Sequence, residues 1–394
     1  MEYVKGVPYF YKTNQKIKSF PYLNKDLECD ILIIGAGIDG VIANYYLAEK
    51  YNVALVDRSK IGAGCTSCAT CLLEYQLDDF AGDLSKNLSE RDIIDIYNMG
   101  LNSIEKLSLL TAKFKNPCAF SKRPTLLFSN SASDKKDMEK EYLFRKQNGL
   151  KCSLVNDGDY NFQTKCGIYA PNGGCEIDPY LFCKMLIENS KNQDSIFENT
   201  TIVKIEKTGD FYLCETSFGE TIKCKKVVLA TGFNFELETC DLCDNYVSYT
   251  IVTNPLPELK WKELALVQDN MEPYHYMRFL PDDRIICGGE DVKLKGVIDE
   301  KTALKKYDAL LNWLKNLFQE HAETIKADYQ FCGAFGSTEN NMGIIGEDGK
   351  GLIWFVSCGA NGIINAMYGI EIIEAIIEGK TLPLMNVFSP LRKK

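Results

Sequence analysis

Cys29-Asp30-Ile31-Leu32-Ile33-Ile34-Gly35-Ala36-Gly37-Ile38-Asp39-Gly40 is an apolar, β-branched run that breaks into a glycine turn. A run of this kind reads as a strand of a parallel sheet, buried on both faces. Helical character follows over residues 38–50. Val53-Ala54-Leu55-Val56-Asp57 then reads as a second buried strand. Together they make a compact βαβ unit. Each glycine has a separate task. Gly35 makes the tight turn, Gly37 lets the backbone approach a pyrophosphate, and Gly40 lets helix and strand pack closely. The helix N-terminus presents free N–H groups and its positive dipole end to phosphates. Asp57 ends the second strand, 17 positions after Gly40. A carboxylate there accepts hydrogen bonds from ribose hydroxyls.

The chain around this unit has 394 residues and suggests two domains. Lys and Arg total 45 against 54 Asp and Glu, a net charge of −9. An acidic protein repels phosphate backbones, so nucleic acid is not an expected partner. No apolar run approaches the roughly 20 residues of a membrane span. Residues 1–21 lack the apolar core of a secretory signal, so a cytoplasmic location is expected. The 16 cysteines should then remain thiols unless they bind metal or do redox chemistry.

Residues 1–28 read as an irregular arm, with Tyr9, Phe10, Tyr11, Phe20, Pro21 and Tyr22 available to pack it onto the body. Ser89 caps a long amphipathic helix expected over 88–115, carried by Ile93, Ile96, Leu101, Ile104 and Leu107. A further helix is expected over 133–148. Asp178-Pro179 starts another, with Asp as N-cap and Pro at the first helical position. Strands are expected near 200–206, 211–216, 221–229 and 284–289. A periodic helix runs through Leu304, Tyr307, Leu311, Leu314 and Phe318. A strand at 352–356, a Gly/Asn turn and a helix over 363–378 close the chain.

An acid at position 57 disfavours NADP and leaves NAD and FAD. The choice comes from farther along. Val227-Val228-Leu229-Ala230-Thr231-Gly232 is a strand entering a small-residue turn, as in two-dinucleotide-fold flavoproteins. Ser357-Cys358-Gly359-Ala360-Asn361-Gly362-Ile363-Ile364 precedes a helix whose N–H groups can face a flavin pyrimidine. Ile61-Gly62-Ala63-Gly64-Cys65-Thr66-Ser67-Cys68-Ala69-Thr70 is a loop of small residues after Asp57-Arg58. With Gly333–Thr338 and Met342–Gly346, these elements resemble, in order, those of the D-amino-acid oxidase/glycine oxidase superfamily of FAD enzymes.

The resemblance implies an α/β fold: a Rossmann-like FAD domain interleaved with an α+β substrate domain on an antiparallel sheet. The expected division is an arm at 1–27, FAD-binding stretches 28–80, 165–240 and 340–394, and substrate stretches 81–164 and 241–339. The implied cofactor contacts are Gly35, Gly37, Gly40, Asp57, Arg58, Gly64, Thr66, Ser67, Ala69, Thr70, Ile202, Ala230, Thr231, Gly232, Gly359, Ala360, Asn361, Gly362 and Ile363. The implied chemistry is hydride transfer from a carbon bearing an amine to flavin N5, followed by imine hydrolysis, with oxygen or a carrier as the final acceptor. It needs little acid–base help from the protein, which suits a chain with two histidines, His275 and His321.

The chain also departs from the family pattern. Phe335 and Ala360 stand where glycine-oxidase-like members place arginines for the substrate carboxylate. Either another Arg substitutes, or the substrate is an amine without that carboxylate. Within Tyr274-His275-Tyr276-Met277-Arg278, Arg278 is the candidate anchor and Tyr276 the candidate aromatic wall. The alternative for Arg278 is an ordinary ion pair on a strand. Lys293 and Lys295 read as solvated. Cys65-x2-Cys68-x2-Cys71 resembles part of an iron–sulfur run, with Cys240-x2-Cys243 as a further thiol source. Tyr75 takes the place of a fourth ligand, so no metal is expected. Cys68 falls near a position that carries covalent flavin in some relatives. Two other functions use the same motifs: an NAD-dependent dehydrogenase, and a flavin-bearing, thiol-rich redox subunit without its own substrate.

Overall fold

The computed structural model describes residues 3–233, 237–238, 240–359 and 361–393. Among them the chain forms two sheets. The first is built around the opening βαβ unit. Strand Leu27–Ile34 lies between Thr221–Leu229 and Val53–Val56, parallel to both. Ile196–Phe197 extends one edge in parallel, and Ile353–Val356 with Ile344–Glu347 extends the other. Strands Ile202–Thr208 and Phe211–Thr216 form an antiparallel hairpin against Thr221–Leu229.

The first strand is buried on both faces, and its alternation shows why. Ile31 and Ile33 enter the core beneath helices Ile38–Leu47, Pro179–Glu188 and Gly362–Ile377. Leu32 and Ile34 pack into the opposite core with Tyr212, Ile222 and Trp354. Side chains two apart share a face, so an unbroken apolar run supplies both cores.

The second sheet is larger and mostly antiparallel. It runs from Val4–Gly6 through Ala327–Ser337, Asp244–Thr253, Ile285–Lys293, His275–Phe279 and Leu266–Asp269 to Ser121–Ser129, Cys166–Glu176 and Leu72–Glu74. Its one parallel pairing on this path joins Leu266–Asp269 to Ser121–Ser129. Cys166–Glu176, within the stretch 165–240, pairs in this sheet. Helix Glu300–Leu317 covers one face through Ala303, Tyr307, Leu310 and Leu314.

The local helix signals act as their chemistry requires. Ser89 accepts from the Asp92 N–H at the start of Glu90–Lys113. Asp178 accepts from the N–H groups of Tyr180 and Leu181 ahead of Pro179–Glu188. The expected helix over 133–148 is Lys135–Gln147.

Two expectations are corrected. The N-terminal arm is not irregular throughout. Val4–Gly6 pairs with Ala327–Ser337, and Tyr9–Thr13 is a short helix that buries Tyr9 and Phe10. Tyr22 remains 54% exposed. Leu304, placed on the apolar stripe of its helix, is also exposed, because the buried stripe runs through Ala303, Tyr307 and Leu310. No helix among the described residues is long and apolar enough to cross a membrane.

Candidate active site

A cavity of about 800 Å³ runs between the two sheets. Its floor at one end is the glycine turn. Gly35 has φ +105°, and a Cβ there would lie 2.2 Å from the Ala230 carbonyl oxygen. A Cβ on Gly40 would lie 1.8 Å from the Gly35 carbonyl oxygen. These contacts leave no room for a side chain, so strand, turn and helix sit as close as backbones allow. Gly37 precedes helix Ile38–Leu47 and supplies no side-chain cap, so the opening N–H groups are left to other partners. The Thr66 hydroxyl takes one of them, from Ile38 at 3.0 Å.

Asp57 lies beside this turn. Its Oδ2 accepts from the Ala36 N–H at 2.6 Å and its Oδ1 from the Ser59 N–H at 2.7 Å. Each oxygen keeps a further acceptor site. Arg58, Lys60, Thr200, Thr201, Ile202 and Val203 line the same end. Here the cavity fits an adenosine diphosphate: an apolar strand edge for the base, a carboxylate for the sugar and a glycine-floored helix start for the diphosphate.

The expected cofactor residues converge on this cavity. Gly35, Gly37, Asp57, Arg58, Gly64, Thr66, Ala69, Thr70, Ile202, Ala230, Thr231, Gly232, Gly359, Asn361, Gly362 and Ile363 all line it. Gly40 and Ser67 do not. Gly40 acts from beneath by permitting the close turn. Ser67 is buried with its hydroxyl donated to the Gly64 carbonyl at 2.8 Å, so it shapes the loop. Ala360 lies outside the described residues.

Tyr276 lines the far end of the cavity, where its hydroxyl meets that of Ser248 at 3.0 Å. Burial pushes its phenol upward. Arg278 shares the strand face of Tyr276 but lies two residues farther on, under the loop that carries Thr70. It is 2% exposed and does not line the cavity. Its Nε donates to the Thr70 carbonyl at 2.7 Å, Nη1 to Glu176 at 3.2 Å and Nη2 to the Ile177 carbonyl at 3.2 Å. The reading of Arg278 as a substrate anchor is therefore corrected: its donors hold the flavin-side loop to the second sheet. Arg278→Ala should lower stability by roughly 3 kcal/mol, as breaking a buried pair does, and so depress the melting temperature. An unchanged melting temperature with a KM raised only for carboxylate-bearing substrates would return Arg278 to the site.

Several cavity residues have no counterpart among the sequence-derived candidates. Asp39, on the first helical turn, accepts from the Ser357 N–H at 3.0 Å and ties the opening helix to the C-terminal turn. Its Oδ1 has no partner, and burial pushes the group up to about 6. Asn361, itself one of the expected cofactor residues, bridges the C-terminal turn and the segment after Thr70, accepting from the Glu74 N–H and donating to the Gln76 carbonyl. Glu74, Asp78, Gln268 and Tyr274 line the far end. Burial, with a neighbouring carboxylate adding to it (Asp78 for Glu74, Asp79 for Asp78), raises Glu74 to about 8 and Asp78 to about 7. The one signal for them was an acid at 74, between Leu73 and Tyr75, and another at 78, directly after Leu77.

All 16 cysteines are free. Cys68 Sγ lies 3.6 Å from the Cys332 carbonyl oxygen, and burial raises the Cys65, Cys68 and Cys71 thiols. Among the described residues no group of three or more His, Cys, Asp or Glu can hold a metal. Lys293 pairs with Asp244 at 2.7 Å, away from the cavity.

Residues 30–375 match the model of the FAD dependent oxidoreductase family, DAO. The protein OrdL of Haemophilus influenzae, named as a probable oxidoreductase, is 22% identical over 94% of this chain and 87% of its own length. Glycine oxidase of Bacillus subtilis is 26% identical over 52% of this chain and 54% of its own. A B. subtilis protein named for a Rieske 2Fe-2S centre, YhfW, is 22% identical over 57% of this chain, and the match spans only 44% of that protein. In structure the chain is similar to glycine oxidase from Geobacillus kaustophilus, with TM-score 0.79 at 17% identity over 93% of this chain and 100% of that one. L-proline dehydrogenase from P. horikoshii gives 0.75 at 16%, over 93% and 97%. The nicotinamide alternative thereby gives way to a flavin, and the chain belongs to the DAO family of FAD dependent oxidoreductases.

Proposed function

We propose that the protein oxidises a C–N bond of an amine or amino acid, yielding an imine that hydrolyses. The observation that carries this reading is the single cavity joining the dinucleotide seat to Tyr276, Ser248 and the C-terminal turn. FAD, when bound, supplies the two-electron acceptor for the hydride leaving the carbon next to nitrogen. The chain's own residues bind, orient and exclude water. Asp57 would hold the ribose, the turn at Gly35–Gly40 the diphosphate, and Ile202 the adenine edge. The loop from Gly64 to Thr70 would underlie the flavin ring. The N–H groups of Gly362 and Ile363, at the start of helix Gly362–Ile377, would face its pyrimidine side, where a helix N-terminus favours negative charge. Tyr276 would form a wall of the substrate space. The relatives named as glycine oxidase and L-proline dehydrogenase support an amine or amino-acid substrate.

Purified protein is expected to be yellow, with one FAD per chain. Members of a panel of primary amines, secondary amines, and D- and L-amino acids should bleach it in the absence of oxygen. A flavin-loaded protein that no panel member bleaches would instead favour a redox subunit without its own substrate.

A further inference from the structure

The far end of the cavity holds acids where an amino-acid site would hold a base. Glu74 and Asp78 line it, together with Gln268, Tyr274 and Tyr276. Glu74 is 5% exposed, and its buried Oε1 has no hydrogen-bond partner, while Oε2 accepts from Gln76 at 2.9 Å. Asp291 stands behind Tyr274, accepting its hydroxyl at 2.9 Å, and its Oδ1 is likewise unpartnered.

The cations packed around this end are committed elsewhere. Arg145 is bound to Glu141, Tyr75 and Gln76. Lys306 is bound to Glu290, and Arg278 lies under the Thr70 loop. The cavity-lining cations, Arg58 and Lys60, belong to the other end, beside Asp57. Glu74, buried beside Asp78 and keeping a bare oxygen, wants a cation, and among the described residues no cation lines this end.

We propose, on the basis of the amine-oxidising reading above, that the substrate is a dicationic amine without a neighbouring carboxylate. Glu74 and Asp78 bind its second ammonium group. The charge they hold is the second one because the nitrogen beside the reacting carbon must carry its lone pair when the hydride leaves. Aliphatic diamines and polyamines have this chemistry: one nitrogen to be oxidised, another that stays protonated. An α-amino acid would bring its carboxylate against Glu74 and Asp78, and like charges in a buried site repel.

The test uses holoenzyme reduced with dithionite, which binds amines without oxidising them. Calorimetric titration with 1,4-diaminobutane, butylamine, glycine and L-proline reads affinity directly. 1,4-Diaminobutane should bind at least tenfold more tightly than butylamine, and both amino acids more weakly than either amine. Glu74→Gln and Asp78→Asn should each weaken 1,4-diaminobutane at least tenfold and leave butylamine nearly unchanged, with FAD content and flavin spectrum intact. The use of two separate variants keeps the test open if one folds poorly. Equal affinity for diamine and monoamine, tightest binding of an amino acid, or unchanged diamine affinity in both variants would overturn the proposal. If the oxidised enzyme binds diamines in this pattern but no amine bleaches it, the oxidation reading fails and the cation site stands.

Discussion

Gly40→Ala should yield protein that neither retains FAD nor melts cooperatively at the wild-type temperature. The added methyl would start 1.8 Å from the Gly35 carbonyl oxygen and 2.9 Å from its carbonyl carbon. Both are backbone atoms, so no side-chain rotation relieves the clash. Helix Ile38–Leu47 would have to lift away from strand Leu27–Ile34, opening the core that Ile33, Val41 and Ile42 share. Losses above roughly 4 kcal/mol come from a short set of mechanisms, of which overpacking a buried contact is one. Lifting the helix also withdraws its first N–H groups from the diphosphate seat, so affinity and stability fall together. Gly82→Ala is the control. Gly82 lies in the short helix Ala81–Leu84, outside the cavity lining, and a Cβ there meets nothing within 4 Å. That variant should stay yellow. A yellow, normally stable Gly40→Ala protein would mean that the close turn is not what seats the cofactor.

Asp57→Ala should weaken FAD binding by about 10² to 10³-fold while the protein remains folded. The carboxylate would accept from ribose hydroxyls, and hydrogen bonds to a charged group contribute roughly 1.5–3 kcal/mol each, with 1.4 kcal/mol per factor of ten. The same side chain fixes the turn through the Ala36 and Ser59 N–H groups. Its removal therefore loosens the diphosphate seat as well as the sugar contact. Titration of apoprotein with FAD, followed by quenching of flavin fluorescence, measures the change. Unchanged affinity in Asp57→Ala would move the ribose elsewhere in the cavity. Asp57→Asn should fall between the two, because the amide keeps an acceptor for one N–H but turns an NH₂ group toward the other.

The cofactor half of the site was legible in the chain because its signals are local. Ile31–Ile34 is apolar without interruption, and such a run must be covered on both faces wherever it is placed. Gly35 and Gly40 are five residues apart and meet through one turn and one helix start, so their roles follow from backbone geometry alone. Ser89 and Asp178 cap helices within three residues of themselves. Asp57 follows from the length of one helix and one strand.

The substrate half depended on tertiary structure. Tyr276 and Arg278 alternate onto the same face of one strand, and nothing local says that the cavity ends between them. That is set by the Thr70 loop, more than 200 positions earlier in the chain, laying its carbonyl over the guanidinium. Glu74 and Asp78 look like ordinary acids near an apolar run. They come to line one end of a cavity only because Leu72–Glu74 pairs with Cys166–Glu176 and Asn361 clamps the segment from the C-terminal turn. The N-terminal Val4–Gly6 is equally silent until Ala327–Ser337 offers an edge to it. Short-range periodicity encodes which backbone forms. Which acid loses its water, and which arginine is used up before a substrate arrives, is decided by pairings between distant strands, and those leave no pattern in neighbouring residues.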